Sequence, residues 1–478
     1  MLDLRVIRSD PEMVRRAMRK RGYDSAPLEA LVRADERRRK LLIEIEDLRN
    51  VRNRLAHGGP PRPGMKVGPQ GDDQERMERV AGVVRRLSRD DTEAAIGILA
   101  FLAAVGYPVP EAEQLPECVG AAMHVQLRAL SELASVLEGY LREAEEGVKD
   151  LALEIPNIPA EATPEGTTEE ENVIVREWGE PREFDFEPKP HWEIGVGLDI
   201  VDFERAAKVA GARFEVFKGA GARLRRALID FMLDLHTREH GYTEAAPPLL
   251  ARRDSLVASG HLPKFEDDQF HVCENDMFLI PTAEASLVNL HRDEILEAEA
   301  LPRQYVAHTP CFRFEKVGAG KESRGLIRQY QFDKVEMFKF VRPETSMDEL
   351  EAMVGNAEVV HQRLGLPYRL ALMCAGEMSM AAAKAYDPMA WFPGTGKWME
   401  LSSCSNCLDW QARRANIRFR PAKGAKPEFV HTLNGSGLAV GRTLACILEN
   451  YQQEDGSVAV PEALVGYMGG VEVIQAGM

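Results

Sequence analysis

The chain has 478 residues, 45% of them apolar and 28% charged, which excludes a disordered or fibrous protein and exceeds one ordinary core. Two or three domains are expected. The net charge of −16, as a bulk quantity, argues against a protein that coats nucleic acid.

The N-terminal stretch MLDLRVIRSDPEMVRRAMRKRGYD is charged throughout and lacks the apolar core of a signal peptide. From Leu31 the small or apolar positions 31, 34, 41, 45, 48 and 55 follow a 3-4 spacing, with Arg38 and Arg52 in the missing slots. A second run, Leu127, Leu130, Ala134, Leu137, Leu141, Ala144, Val148, Leu151 and Ile155, keeps the same alternation. Two such seams predict helices packed as an antiparallel coiled-coil arm, the second ending at Pro156. Between them, GGPPRPGMKVGPQG (58–71) breaks both helix and strand. Helical patterns then return, one of them the almost wholly apolar TEAAIGILAFLAAV. A helical knob over about 60–125 is expected there. The apolar stretch 94–109 is too short to span a bilayer, so no membrane role is expected.

An acidic, proline-punctuated connector follows, and the break between arm (1–160) and body (161–478) is placed near residue 160. In the body, FEVFKG, FLIPTA, QFDKVEMFKFV and KWMELSSC read as strands without regular helix alternation, which predicts an α+β fold on an antiparallel sheet. CFRFEKVGAGKESRGLIRQYQFDKVEMF places Arg313 and Glu315 on one strand face, and Arg328, Phe332 and Glu336 on one face of a returning strand. The charges suit either a solvated strand pair or a ligand grip, and the glycine-rich hairpin favours the grip. PTAE gives Thr282 and Glu284, two apart. In ELSSCSNC, Glu400 and Ser403 offer hard oxygens for magnesium. Cys404 and Cys407 lack a second ligand pair at zinc spacing and read as small buried residues, so zinc is not expected. Seven cysteines in all form no disulfide framework, and a reducing, cytoplasmic compartment fits. In NGSGLAVGR, Gly435, Gly437 and Gly441 permit close backbone approach, and Arg442 stands at a helix start.

Together these strings resemble seryl-tRNA synthetase of the bacterial type, a class II aminoacyl-tRNA synthetase, over nearly the whole chain except about 60–125. GYTEAAPPLL, with Pro248, is similar to class II motif 1; CFRFE…RGLIRQYQFDKVE to motif 2; GSGLAVGR to motif 3. The resemblance implies ATP-dependent activation of L-serine to seryl-adenylate, transfer to tRNA(Ser), magnesium with the ATP, and a homodimer. It implies that Arg313 bridges the serine carboxylate and α-phosphate, with Glu315 at the adenine end and Arg328 on a phosphate. Phe332 and Arg442 then cover the two faces of adenine, with Arg442 reaching the γ-phosphate; Glu400 and Ser403 hold magnesium. Thr282, Glu284, Arg313, Glu336 and Ser436 form the serine site, Glu284 meeting the ammonium and Glu336 the hydroxyl.

The implied arm grips the long variable arm of tRNA. Residues 1–57 carry 15 Lys+Arg against 10 Asp+Glu, a balance of +5 that leaves −21 elsewhere, so the bulk charge does not exclude RNA. Departures from the family pattern fall at Phe314, Lys316, Val317, Gly318, Glu322 and Ser323 in the motif 2 loop, and at Met389. A specialised paralogue supplying seryl-tRNA or seryl-adenylate to another pathway fits the same residues. A non-catalytic RNA-binding scaffold would not need Arg313, Glu336, Glu400 and Arg442.

Overall fold

The computed structural model describes residues 1–56, 123–314 and 324–477. The expected knob therefore lies, but for its last three residues, outside the described residues, as do Glu315, Lys316, Val317, Gly318, Glu322 and Ser323. Two compact units emerge: Ala26–Ala152, and Met1–Ser25 together with Leu153–Met478. No described helix is long and apolar enough to cross a membrane.

The first unit is the arm. Helices α3 (Ala26–Ala56) and α4 (Met123–Leu153) each run 31 residues. Leu31, Leu41, Ile45 and Leu48 on α3, and Leu130, Ala134, Leu137 and Val148 on α4, are buried as their spacing predicts. Each fully buried leucine contributes roughly 2 kcal/mol. Arg38 fills a seam slot because its guanidinium bonds Asp35 Oδ1 at 2.9 Å, and Arg49 pairs with Glu138 at 2.8 Å.

Residues 1–25, expected in the arm, pack in one compact unit with residues 153–478. Helices α1 (Leu4–Ser9) and α2 (Pro11–Lys20) are capped by Asp3 and Asp10, whose carboxylates accept from Arg5 N and Met13 N at 2.8 Å each. Their apolar residues Ile7, Val14 and Met18 are buried. The tether is Arg21, 2% exposed, which donates to the carbonyls of Asn157 (3.1 Å), Met378 (3.1 Å), Ala382 (2.8 Å) and Ser379. Buried guanidinium donors need such acceptors, and only the body supplies them.

The body is α+β, as expected. Its main sheet has nine strands: β1 (Val173–Trp178), β2 (Thr243–Glu244), β3 (Arg303–Phe312), β4 (Gln331–Val341), β5 (Tyr368–Leu372), β6 (Lys384–Phe392), β7 (Lys397–Glu400), β8 (Cys404–Asn406) and β9 (His431–Ala439). The order is β1-β5-β6-β8-β9-β4-β3-β2, with β7 on β6; every pair is antiparallel except β2 with β3. One face, through Val335, Met337 and Val341 of β4, packs on helices Gly219–Arg238, Ser346–Arg363 and Val440–Asn450. On the opposite face Phe338 and Phe340 join a second core with Ala283, Leu287, Ala412 and Ile417. Period-two alternation along one strand thus assigns its residues to two cores.

Candidate active site

The second face is not apolar throughout. Preceding Phe338 in the same alternating series are Glu336, Lys334 and Phe332, and these line a cavity of about 380 Å³ instead. Thr282, Glu284, Arg313, Arg328, Glu400, Ser403, Ser436 and Arg442 line it too, so every described residue of the predicted site meets in one space. Register does part of this work: β4 pairs with β9 so that Glu336 stands opposite Ser436.

Two placements differ from the sequence reading. Arg328 is not on the strand with Phe332 and Glu336; β4 begins at Gln331, and Arg328 reaches the cavity from the preceding loop. That loop is anchored where Leu326 N–H donates to His191 Nε2 (3.1 Å), while His191 Nδ1 bonds Glu449 Oε1 at 2.7 Å. Arg313 lies just past the end of β3, its Nε donating to Pro281 O at 3.1 Å and its guanidinium 5.1 Å from the Phe332 ring centre. The glycines also act differently from one another. A Cβ at Gly435 would stand 2.8 Å from Met353 Sδ, and one at Gly437 would stand 2.4 Å from His236 Nε2. Both glycines therefore admit helix side chains behind β9, and only Gly441 lines the cavity.

One end of the cavity is a polar pocket. Glu284 Oε1 accepts from Gln411 Nε2 (2.6 Å) and Asn434 Nδ2 (3.0 Å). Gln411 is fully buried; its Oε1 accepts from Thr432 Oγ1 at 2.7 Å, which turns the amide's N–H groups toward Glu284 and Ser259 O. Burial, with Glu336 nearby, pushes the Glu284 carboxyl up to about 7. Lys334 Nζ donates to Thr282 Oγ1 at 2.7 Å and pairs with Glu336 Oε2. His261 also lines this end; burial, with Arg313 and Lys334 nearby, drives its imidazole down to about 3, so it stays neutral.

At the other end Arg442 Nη1 donates to Glu400 O (2.9 Å) and lies 3.5 Å from Glu400 Oε1, while its Nε donates to Ile327 O at 3.3 Å. Asp387 lines the same region. Burial beside Glu400 holds it well above the usual carboxylate range, and its Oδ1 has no hydrogen-bond partner among the described residues. Glu400, Ser403 and Asp387 form an all-oxygen donor set of the kind magnesium takes. Among the described residues no group of three or more His, Cys, Asp or Glu stands together as a metal site. Cys404 and Cys407 are buried free thiols, and burial pushes Cys404 up to about 12.

Sequence reading passed over Lys334, Gln411, Asn434, His261 and Asp387. Lys334 alone carried a local signal, its position two residues from both Phe332 and Glu336 on the same strand face.

Two family models match. One, described as the tRNA synthetase class II core domain (G, H, P, S and T), covers residues 264–451; the other, the Seryl-tRNA synthetase N-terminal domain, covers residues 1–93. A Serine--tRNA ligase of Geobacillus kaustophilus is 48% identical over 475 residues, spanning 99% of this chain and 100% of its own. The chain belongs to the seryl-tRNA synthetase family. Among solved structures, seryl-tRNA synthetase from Pyrococcus horikoshii complexed with ATP has a TM-score of 0.83 at 34% identity, covering 100% of both chains. The cytoplasmic Serine-tRNA ligase of Naegleria fowleri in complex with AMP gives a TM-score of 0.74 at 27% identity, over 98% of this chain and 96% of that one.

Proposed function

We propose that this chain condenses L-serine with ATP to seryl-adenylate and transfers the seryl group to tRNA(Ser). The observation that carries the proposal is the single cavity in which Thr282, Glu284, Glu336 and Ser436 meet Arg313, Phe332, Glu400 and Arg442. The serine carboxylate oxygen attacks the α-phosphorus, the bond to the bridging oxygen breaks, and pyrophosphate leaves. No covalent bond to the protein is needed, so positioning and charge compensation supply the rate.

Arg313 suits the serine carboxylate and α-phosphate because its planar fork can hold two anionic groups at once. Glu284 receives the ammonium; as its carboxyl sits near 7, the arriving cation draws it into the charged form. Glu336 accepts from the substrate hydroxyl. A buried acceptor left unpaired by alanine rejects that analogue by on the order of 10⁴-fold. Phe332 and Arg442 sandwich adenine, with Glu315 at its edge and Arg328 on a phosphate. Glu400 and Ser403, with Asp387 beside them, hold magnesium, which shields the triphosphate charge when bound.

The arm takes the variable arm of tRNA(Ser) on its basic side chains. A homodimer belongs to the same reading: β1 ends the sheet with Val173, Ile174, Val175 and Trp178, between 38% and 47% exposed, an apolar strand edge suited to a second subunit. A need for ATP and tRNA suits a cytoplasmic reaction. No observation favours the specialised-paralogue or scaffold readings.

Serine-dependent ATP–pyrophosphate exchange, followed by charging of tRNA(Ser), tests the proposal. Exchange with serine and transfer to that tRNA are expected. Absence of serine-dependent exchange overturns it.

A further inference from the structure

A pocket lined by two carboxylates faces an electrostatic problem before substrate arrives. Glu336 is 1% exposed, and its charge adds to the burial that raises Glu284. Taking such charges out of water is costly unless each is paired and hydrogen-bonded. Lys334 supplies the pairing for Glu336, whose Oε2 has no hydrogen-bond partner among the described residues. It is 7% exposed, its ammonium pairs with Glu336 Oε2, and the same nitrogen donates to Thr282 Oγ1 at 2.7 Å.

The backbone fixes this arrangement. Lys334 and Glu336 share a face of β4, and the β4–β9 register shifts between them. The extra residue lies on β9, between Ser436 and Ala439, while β4 stays in regular register with β3 through Lys334 and Glu336, which therefore stand as neighbouring rungs on one face. Thr282 supplies the second tie: its oxygen also accepts from Glu284 N–H at 3.3 Å, so it stays committed as an acceptor on both counts. Thr282 thereby pins the ammonium, and the ammonium pins the Glu336 carboxylate. Without that pin, a buried glutamate with three rotatable bonds has no fixed direction in which to meet a hydroxyl.

We infer that Lys334 is a positioning residue of the serine site, acting through Glu336 to set the discrimination of serine from alanine. The inference rests on the assignment of Glu336 to the substrate hydroxyl. Lys334 needs no contact with substrate to do this.

A double-mutant cycle in ATP–pyrophosphate exchange tests the idea, with K334M, E336Q and the double variant. K334M is expected to raise the serine KM by roughly 10- to 100-fold, the range for leaving a buried charged group without its partner. Its ATP KM is expected to stay within about threefold, and its preference for serine over alanine to shrink. In the E336Q background the neutral amide needs no cation, so adding K334M is expected to change serine KM by less than about threefold.

Multiplicative effects of the two substitutions would overturn the inference, because Lys334 would then act independently of Glu336. A rise in ATP KM in step with serine KM would overturn it too. If K334M alone fails to fold, the comparison of E336Q with the double variant decides alone: equal serine KM supports the role and a further rise refutes it. A wild-type chain without serine-dependent exchange would instead sink the functional assignment, leaving the two failures distinguishable.

Discussion

The proposed pairing of Glu284 with the serine ammonium makes serine capture a proton-linked event. Its ordinary carboxyl value of 4.5 is pushed up to about 7 by burial and by Glu336, against the pull of Lys334, Gln411 and Arg313. The charged form that meets an ammonium is then about one-tenth populated at pH 6 and nine-tenths at pH 8, a tenfold span in serine affinity. At pH 7 roughly half a proton should leave the protein per serine bound. Calorimetric titration of serine into the ATP-free protein, in buffers of different ionisation enthalpy, measures both quantities. E284Q cannot titrate there, so its weaker affinity should be flat over the same range. The sign for stability is opposite. Between pH 4.5 and 7 the folded state binds more protons than the unfolded chain, so rising pH removes up to roughly 3 kcal/mol that E284Q should restore at pH 8. A flat wild-type affinity between pH 6 and 8, or an equal slope in E284Q, would refute this reasoning.

Other expectations follow from the same contacts. R442A removes the guanidinium held by Glu400 O and Ile327 O, and should raise the ATP KM by roughly 10- to 100-fold while leaving the serine KM within a few-fold, as read in steady-state exchange. R21M removes the donor from three buried carbonyls and should cost about 3 to 5 kcal/mol, seen as a lower urea midpoint of the body. Replacing residues 26–152 by a short glycine–serine linker should preserve serine-dependent exchange and abolish charging of tRNA(Ser). Retained charging would remove the arm from RNA recognition.

What could be read from sequence follows the range of the interactions. The strand carrying Phe332 and Glu336 was legible because alternation is a local rule, and the seam of the arm was legible for the same reason. Reading that strand in steps of four, however, stepped over Lys334. Gln411 and Asn434 left no trace, since their shared partner Glu284 lies 127 and 150 positions away. That the opening helices pack in one unit with residues 153–478 was not legible, because they are charged like the arm. The group that binds them to the body, Arg21, is recognised by backbone carbonyls 136 to 361 residues distant, and a carbonyl has no residue type. Composition can show that an arginine is present, but not that the fold has turned several peptide oxygens toward it.

The two glycines behind β9 have a consequence for how this enzyme can vary. Met353 and Cys404 press on Gly435, and His236 presses on Gly437, while Ser436 between them lines the cavity. A methyl group at either position must displace these side chains or push the strand forward, and the latter narrows the space where the substrate would lie. The calibre of the pocket is therefore gauged from the rear, by residues that line none of it. Changes in amino-acid selectivity could arise from helix substitutions that no inspection of the binding surface would single out.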